Sequence, residues 1–182
     1  PQLKKIVDYK KKFAGYAKTD EKCGYDVLLS SFEPEFMSER LDDIFAQIKN
    51  AVIPLVKAAV NNQKKDETDY SFTIIKSKND MEKLKGFCGY LAGYLGFNQR
   101  RGTTGESAHP FTINIHNHDV RMTNNFETKD ILDPIFSVIH ETGHALYEQG
   151  IADVFTLTVC GEGTSMGMHE GQSRFFENMI EL

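Results

Sequence analysis

Two histidines and a glutamate form the short run HETGH, at His140, Glu141 and His144. On an α-helix, residues four apart are separated by about 40° of rotation, so both imidazoles project from the same side. Two such rings can bind one metal ion, and the glutamate beside the first ring can reach a water molecule on that ion. This spacing predicts a zinc-dependent peptidase; an ordinary solvated helix face is the alternative explanation.

The flanking residues predict a helix over 134–148. Apolar side chains fall opposite the two imidazoles and would face a core. They are Ile135, Val138, Ile139, Ala145 and Leu146. Asp133 and Pro134 are typical of an N-cap and a first helical residue, and Gly150 is typical of a left-handed C-cap. Gly143 has no side chain, which predicts the close approach of another backbone or of a substrate.

An acidic third ligand is expected after the motif, because catalytic zinc takes three protein ligands and keeps one open position. Glu170 lies one turn into a second predicted helix, 167–181, and is the predicted ligand. The alternative is an acid that only stabilises the N-terminus of that helix through its dipole. The other acids considered are Glu148, Asp153, Glu162, Glu177 and Glu181.

The second helix is expected to present distinct apolar and polar sides. Its packing face is predicted to consist of Met168, Phe175, Phe176 and Met179. Gln172, Ser173 and Arg174 follow the predicted ligand closely, and they are candidates for hydrogen-bonding partners of the metal ligands.

Two further runs precede the histidine motif: residues 109–111 read HPF, and residues 119–123 read DVRMT. In this order, HPF, DVRMT, HETGH and HEGQSR resemble the signatures of the carboxypeptidase Taq family of metallocarboxypeptidases. The resemblance implies a largely helical enzyme that removes residues one at a time from peptide C-termini. It also implies a homodimer, zinc or cobalt at the site, the ligands His140, His144 and Glu170, and a glutamate, the one in HETGH, as general base.

Family members are longer than this chain, and two further motifs, resembling (I/V)RxxAD and GxxQDxHW, lie beyond their third ligand. The resemblance implies that the arginine of the first motif holds the terminal carboxylate of the substrate. We therefore expect an internal fragment, truncated at both ends relative to the family, that has the metal site but lacks this clamp. Three functions compete: a metallocarboxypeptidase, an oligopeptidase-type metallo-endopeptidase, and a catalytically incompetent metal-binding fragment.

The region before the metal motif predicts a hairpin beside the site. Residues 98–109 predict a mobile loop, and 111–115 with 120–123 predict two strands joined by a polar turn. An extended peptide can add to a strand edge through backbone hydrogen bonds. This hairpin is therefore the candidate substrate edge.

Five polar side chains near the hairpin have open roles. His109 and Arg121 are the candidate substrate-binding residues, and the alternative is that each is a structural anchor, with Asp119 pairing with Arg121. His116 and His118 are expected to be solvent-exposed loop residues, and a second metal site there is the weaker interpretation.

The whole pattern predicts a mainly α protein with a small β-sheet, built as a zincin-like core around the HExxH helix. We divide it into a helical segment 1–69, a helix with a small sheet 70–129, and the metal-binding helices 130–182. Further helices are expected at 1–17, 20–31, 38–60 and 80–96, the last capped by Asn79, and a further strand at 70–76. A side for close helix packing is predicted from Gly86, Gly89, Gly93 and Gly96.

Composition limits the possible partners and the compartment. The chain has 182 residues and a formal net charge of -5, which gives no electrostatic reason to bind nucleic acid. No segment predicts a membrane span, and the N-terminal lysines predict a solvated helix face. Three cysteines without CxxC spacing predict reduced, packed thiols and a cytoplasmic protein. They are Cys23, Cys88 and Cys160.

Overall fold

The computed structural model describes residues 1–17, 23–34, 36–62 and 77–180. The chain divides into two compact units, Pro1–Thr68 and Asp69–Leu182. The regular elements of the described residues are mostly helices, with one small sheet, which confirms the predicted fold class. The strand predicted at 70–76 lies outside the described residues. Within the described ranges, no helix has both the length and the apolar composition needed to cross a membrane.

Three helices form the first unit. They are α1 (Gln2–Ala17), α2 (Gly24–Leu29) and α3 (Ser38–Asn62). The first and third match their predictions to within two residues, whereas α2 ends two residues earlier than predicted. The lysines of α1 are exposed as expected, and Ala14 is the buried residue of that helix.

Asp26 connects α2 to the beginning of α3. Its Oδ1 accepts a hydrogen bond from the backbone N–H of Ser38 at 2.7 Å, and its Oδ2 accepts one from the Cys23 thiol at 2.9 Å. These bonds favour the ionised carboxylate, so Cys23 first and then Ser38 lower the pKa of Asp26 to about 2. The carboxylate therefore takes the place of a cap for the first turn of α3.

A three-stranded sheet lies in the second unit. Its strands are β1 (Gly102–Glu106), β2 (Phe111–His116) and β3 (Asp119–Asn124). They are ordered β1-β3-β2, with β1 parallel and β2 antiparallel to β3. The predicted hairpin is confirmed as β2 and β3. The loop predicted for 98–109 is wrong over 102–106, because these residues pair with a strand that lies later in the chain.

Two local features explain why β1 escaped prediction. Its sequence, GTTGE, has no apolar alternation. A Cβ on Gly102 would lie 1.9 Å from the carbonyl oxygen of Val120, so glycine permits the close pairing with β3. The residues before β1 are also held in place. Gln149 accepts from the Asn98 backbone N–H at 3.0 Å and donates to the Asn98 and Arg101 carbonyls, each at 3.1 Å.

Three helices complete the second unit. They are α4 (Lys78–Tyr94), α5 (Leu132–Gln149) and α6 (Met166–Ile180). Ser77, and not Asn79, is the N-cap of α4, since its side chain accepts from the Asp80 backbone N–H at 3.2 Å. The N-cap of α5 is Ile131 rather than Asp133, and Gly150 has a φ of -77°, so the predicted left-handed C-cap is wrong.

The hydrophobic core of this unit joins α4, β3 and α5. Its buried members are Leu84, Cys88, Ala92, Phe97, Val120, Met122, Val138 and Ala145. Cys88 fulfils the prediction of a packed thiol, whereas the free Cys23 and Cys160 are exposed. The predicted close packing is wrong for Gly86, Gly89 and Gly93, because a Cβ on any of them would meet no described atom within 4 Å, whereas a Cβ on Gly96 would lie 3.5 Å from Leu146 of α5.

The apolar side chains of α6 do not form its main contact with α5. Met168, Phe175 and Met179 are exposed, which contradicts their predicted packing role, and Phe176 is half-buried. Ser173 is fully buried instead. A Cβ on Gly143 of α5 would lie 2.6 Å from the Ser173 Cα, so the two helices meet backbone to backbone.

Candidate metal centre

Two helices bring the predicted metal ligands together. α5 carries His140 and His144, and α6 carries Glu170; their ligand atoms all lie within 4.8 Å of one another. Glu170 Oε2 is 3.8 Å from His140 Nε2 and 3.3 Å from His144 Nε2. Donors about 2.1 Å from a tetrahedral ion are separated by roughly 3.4 Å. The group therefore fits one small divalent ion.

Gly143 decides how close the two helices can come. A Cβ there would lie 2.6 Å from the Ser173 Cα and 2.9 Å from the Gln172 carbonyl oxygen, both backbone atoms. Any side chain would push α6 away and displace Glu170 relative to the imidazoles. The sequence-based expectation of a close backbone approach at Gly143 is thus confirmed, with α6 as the approaching backbone.

Charged residues of α6 support the first imidazole. His140 Nδ1 lies 2.9 Å from Glu177 Oε2, which leaves its Nε2 facing the ligand group. Arg174 donates to Glu170 at 3.0 Å and to both Glu177 oxygens at 2.9 Å. Such contacts fix the ring and the carboxylate that bind a metal. Arg174, one of the predicted partner residues, thus links the predicted ligand Glu170 to Glu177, which contacts His140.

The second imidazole has a different environment. His144 Nδ1 lies 2.7 Å from His169 Nδ1, and His169 Nε2 lies 2.8 Å from Glu148 Oε1. Burial first, and then the neighbouring His169 and His140, lower the pKa of His144 to about 4. A neutral imidazole at physiological pH is the form that binds metal.

The carboxylates of Glu141 and Glu170 have opposite pKa shifts. Glu141 is 7% exposed, and burial raises its pKa although the Thr112 hydroxyl, 2.7 Å from Oε2, acts against this effect. At Glu170 burial also acts to raise the pKa, but the nearby His140, Arg174 and His144 lower it overall. A carboxylate that favours ionisation suits a ligand, and one with a raised pKa suits proton transfer.

A cleft of about 570 Å³ adjoins the group. His109, His140, Glu141, Arg174 and Glu177 are among its lining residues, so the structure brings the predicted substrate-binding residue His109 to the site.

The structure does not bring Arg121 there. Arg121 is exposed and bonds Asp119 at 2.8 and 2.7 Å, while its neighbours Val120 and Met122 are buried on the opposite face of β3.

The two histidines at the hairpin turn do not share one environment. His118 is exposed as predicted, and it lies 2.6 Å from Asp153. His116 is half-buried at the end of β2, so the loop prediction is wrong for it. The one grouping of metal-ligating side chains among the described residues is that of His140, His144 and Glu170, which does not include the hairpin histidines.

β2 is an edge strand of the described sheet, and it lies along α5. Thr112 contacts the Glu141 carboxylate, and the Asn114 amide donates to the Glu148 carboxylate. The candidate substrate edge is therefore held to the helix that carries the histidines at two points, which lie about two helical turns apart.

Sequence reasoning missed the contacts made by Glu177, Glu148 and Thr112. Glu177 follows Glu170 by seven residues, and Glu148 follows His144 by four, spacings that place each pair on one side of its helix. This periodicity could have identified both acids as supporting groups. Thr112 carries no such signal, because its contact with α5 depends on how the sheet packs.

Comparisons with known proteins agree on one family. The model of a family described as carboxypeptidase Taq (M32) metallopeptidase matches residues 1–182. Carboxypeptidase 1 of Bacillus subtilis (strain 168) is 38% identical over 180 residues, 99% of this chain and 35% of that protein. Thermostable carboxypeptidase 1 of Pyrococcus furiosus is 33% identical over 181 residues, 99% of this chain and 36% of that protein. The chain spans about a third of the length of these curated relatives.

Solved structures give the same result. A crystal structure of BsuCP matches with a TM-score of 0.87 and 39% identity, over 98% of this chain and 35% of that one. The structure of Trypanosoma cruzi metallocarboxypeptidase 1 matches with a TM-score of 0.84 and 30% identity, over 100% of this chain and 37% of that one.

Proposed function

Because the chain belongs to the carboxypeptidase Taq (M32) family of metallopeptidases, we propose that the protein is a metal-dependent carboxypeptidase that releases C-terminal residues from peptides. The observation that carries this proposal is the convergence of His140, His144 and Glu170 within 4.8 Å of one another. We assign these three residues as ligands of zinc, with cobalt as a second metal that the same donors accept.

Two nitrogens and one carboxylate leave a fourth position open on a tetrahedral ion. A divalent ion held by these three residues would polarise the scissile carbonyl and lower the pKa of the attacking water. Glu170 neutralises part of the positive charge, and Arg174 holds its second oxygen at 3.0 Å. The protein thereby fixes the direction from which the three donors act.

Glu141 is the proposed general base. It takes a proton from the attacking water and delivers that proton to the amine that leaves. Thr112, at 2.7 Å from Oε2, holds one carboxylate oxygen and leaves the other for this transfer. Burial raises the pKa of Glu141, which makes its carboxylate a stronger base toward the proton of the attacking water.

The substrate is proposed to lie as an extended strand along β2, with its scissile carbonyl beside the ligand group. β2 presents an unpaired edge within the described sheet, and backbone hydrogen bonds there would be independent of side-chain sequence. His109, which lines the cleft, is proposed to contact the peptide. We assign Arg121 a structural role, because it forms an ion pair with Asp119.

We further propose that the protein forms a homodimer, which family membership supports. We also propose that it is cytoplasmic, which its free cysteines support. Size measurement in solution and fractionation of cells under reducing conditions test the two parts separately.

Two substitutions test the proposed chemistry. Glu141→Gln is expected to keep bound zinc and to lose nearly all peptide turnover, because the amide cannot take a proton. Glu170→Ala is expected to lower the zinc content. Metal analysis and a peptide assay measure both. Turnover retained by Glu141→Gln rejects the base, and unchanged zinc in Glu170→Ala rejects the ligand.

The same assay separates carboxypeptidase from endopeptidase activity. A peptide with a free C-terminus should lose single residues in a zinc-dependent reaction. Internal cleavage of a C-terminally amidated peptide would favour the oligopeptidase-type alternative, and zinc binding without any turnover would favour a metal-binding fragment.

A further inference from the structure

A chain of three contacts connects His144 to the edge strand. His144 Nδ1 lies 2.7 Å from His169 Nδ1, and His169 Nε2 lies 2.8 Å from Glu148 Oε1. The other oxygen of Glu148 accepts from the Asn114 amide on β2. The Glu148 side chain is 10% exposed and that of His169 is 24% exposed, so water competes little for these groups.

Proton counting allows one arrangement along this chain. If His144 uses Nε2 to bind metal, its neutral ring must carry the proton on Nδ1. That proton can point only to the lone pair of His169 Nδ1, the atom 2.7 Å away. His169 must then accept at Nδ1 and donate from Nε2, where Glu148 accepts at 2.8 Å.

We propose that His169 is a positioning residue that orients His144 toward the metal by accepting a hydrogen bond from its Nδ1–H. His169 is itself held in place by the hydrogen bond from its Nε2 to buried Glu148. This inference rests on the proposed metal-binding function, and it goes beyond that function by assigning a residue that touches neither metal nor substrate.

A neutral imidazole suits this position because its rigid ring has one acceptor and one donor nitrogen that point in different directions. The His169 ring is also held by its neighbours. The planes of the His169 and His144 rings differ by 18° with centroids 4.6 Å apart, as an in-plane contact between their Nδ1 atoms requires, and Tyr147 packs against His169 at 4.9 Å. A Cβ on Gly163 would approach the His169 Cδ2 to 3.4 Å. The ring therefore has little freedom to turn away from His144.

If the packing of the His169 ring matters, two variants should have one order of zinc affinity, and if its hydrogen bond matters, they should have the opposite order. His169→Phe keeps an aromatic ring of similar shape and loses both nitrogens. His169→Asn loses the ring, but its Oδ1 stands two bonds from Cβ, as Nδ1 does, and can accept the proton of His144. If the acceptor matters, the Asn variant should bind metal more tightly than the Phe variant. If shape matters, the Phe variant should bind more tightly.

The measurement is zinc affinity of the purified protein, obtained by competition with a chromophoric chelator. His169→Phe is expected to weaken zinc binding about 10–100-fold, as loss of a contact to a metal-ligating histidine does. His169→Asn should stay within about 5-fold of wild type, which is a smaller loss than for a broken contact. His118→Phe, at an exposed histidine away from the site, is the matched control and should leave affinity unchanged.

A second pair keeps the test decisive if the Phe variant does not fold. Glu148→Gln removes the charge that aligns His169 and is expected to weaken zinc binding several-fold, less than complete loss of the contact. Glu127→Gln removes an exposed charge before α5 and should have no effect.

The outcomes separate this inference from the proposed function. An Asn variant that binds no more tightly than the Phe variant overturns the inference, and so does a Glu148→Gln protein with wild-type affinity. His144→Ala tests the function itself: if it binds zinc as wild type does, or if wild type binds none, the proposed metal site fails and the inference fails with it.

Discussion

α3 and α5 show how differently two helices with an apolar side can be used. α3 is the longer at 25 residues, yet none of its residues is buried. α5 has 18 residues and buries nine of them, Glu141 among these. Both sequences predict helices from periodicity alone. The comparison shows that an apolar stripe predicts a helix but does not predict how much of that helix is buried.

The inward residues of α5 explain its many contacts. Thr142, Gly143 and Ala145 are small and nearly or fully buried, so a neighbouring backbone can approach closely. α3 instead presents large apolar side chains to solvent. They include Phe45, Ile48, Val52, Leu55, Val56 and Val60. Substitutions should therefore have large effects on α5 and small effects on α3.

The largest effect is expected for Gly143→Ala in α5. The added Cβ would lie 2.6 Å from the Ser173 Cα, and backbone cannot move aside cheaply. We expect a loss of about 1–3 kcal/mol in the free energy of unfolding, as for overpacked sites, together with weaker zinc binding because Glu170 is displaced. Urea unfolding and zinc competition measure both.

Gly89→Ala on α4 is the matched control for that substitution. A Cβ there meets no atom within 4 Å, and alanine favours a helix over glycine. We expect a gain of about 0.5–1 kcal/mol in the free energy of unfolding. If both variants lose stability equally, contact at Gly143 is not the cause.

An intermediate effect is expected for Asp26→Asn, because Asp26 holds the beginning of α3. The pKa of Asp26 is lowered from 3.8 to about 2, so its contribution to stability is complete above pH 3.8 and is lost as pH falls through about 2. At neutral pH the variant should have a lower unfolding midpoint than wild type. The difference should shrink as the pH falls through about 2 and disappear below it, where Asp26 of the wild type is also protonated.

Thermal unfolding followed by circular dichroism at several pH values gives this comparison. Asp43→Asn, at an exposed acid within α3, is the control. A difference between Asp26→Asn and wild type that is the same at every pH would show that the charge of Asp26 does not stabilise the junction.

The smallest effect is expected for Leu55→Ser in α3. Leu55 is 68% exposed, so the substitution removes almost no buried surface. The free energy of unfolding of this chain should change by less than about 0.5 kcal/mol. A loss of several times that size in urea unfolding would mean that the apolar side of α3 is covered in solution.

Sequence patterns predicted those elements whose signals are local. The HETGH helix, the helix carrying Glu170 and the β2–β3 hairpin follow from periodicity and from turns, and the structure has all three. β1 was missed because it pairs with residues that lie later in the chain, and its sequence does not alternate. Local pattern cannot reveal a partner that distant.

The prediction of the packing face of α6 is wrong for a related reason. Large apolar residues ordinarily mark the buried side, so the sequence predicts Phe175 and Met179 on the packing face of this helix. The close approach at Gly143 leaves room only for a small residue, and Ser173 takes that place. The contacts of His169 and Glu177 likewise depend on the distance between the two helices, which cannot be predicted from the sequence of either helix alone.

The segment Met166–Ile180 holds the proposed carboxylate ligand, the partner of His140, the partner of His144 and the arginine that joins two of them. The same segment also meets α5 backbone to backbone at Ser173, and much of its apolar surface is exposed. Binding of the proposed ion and docking of this segment are consequently coupled, since either makes the other more favourable.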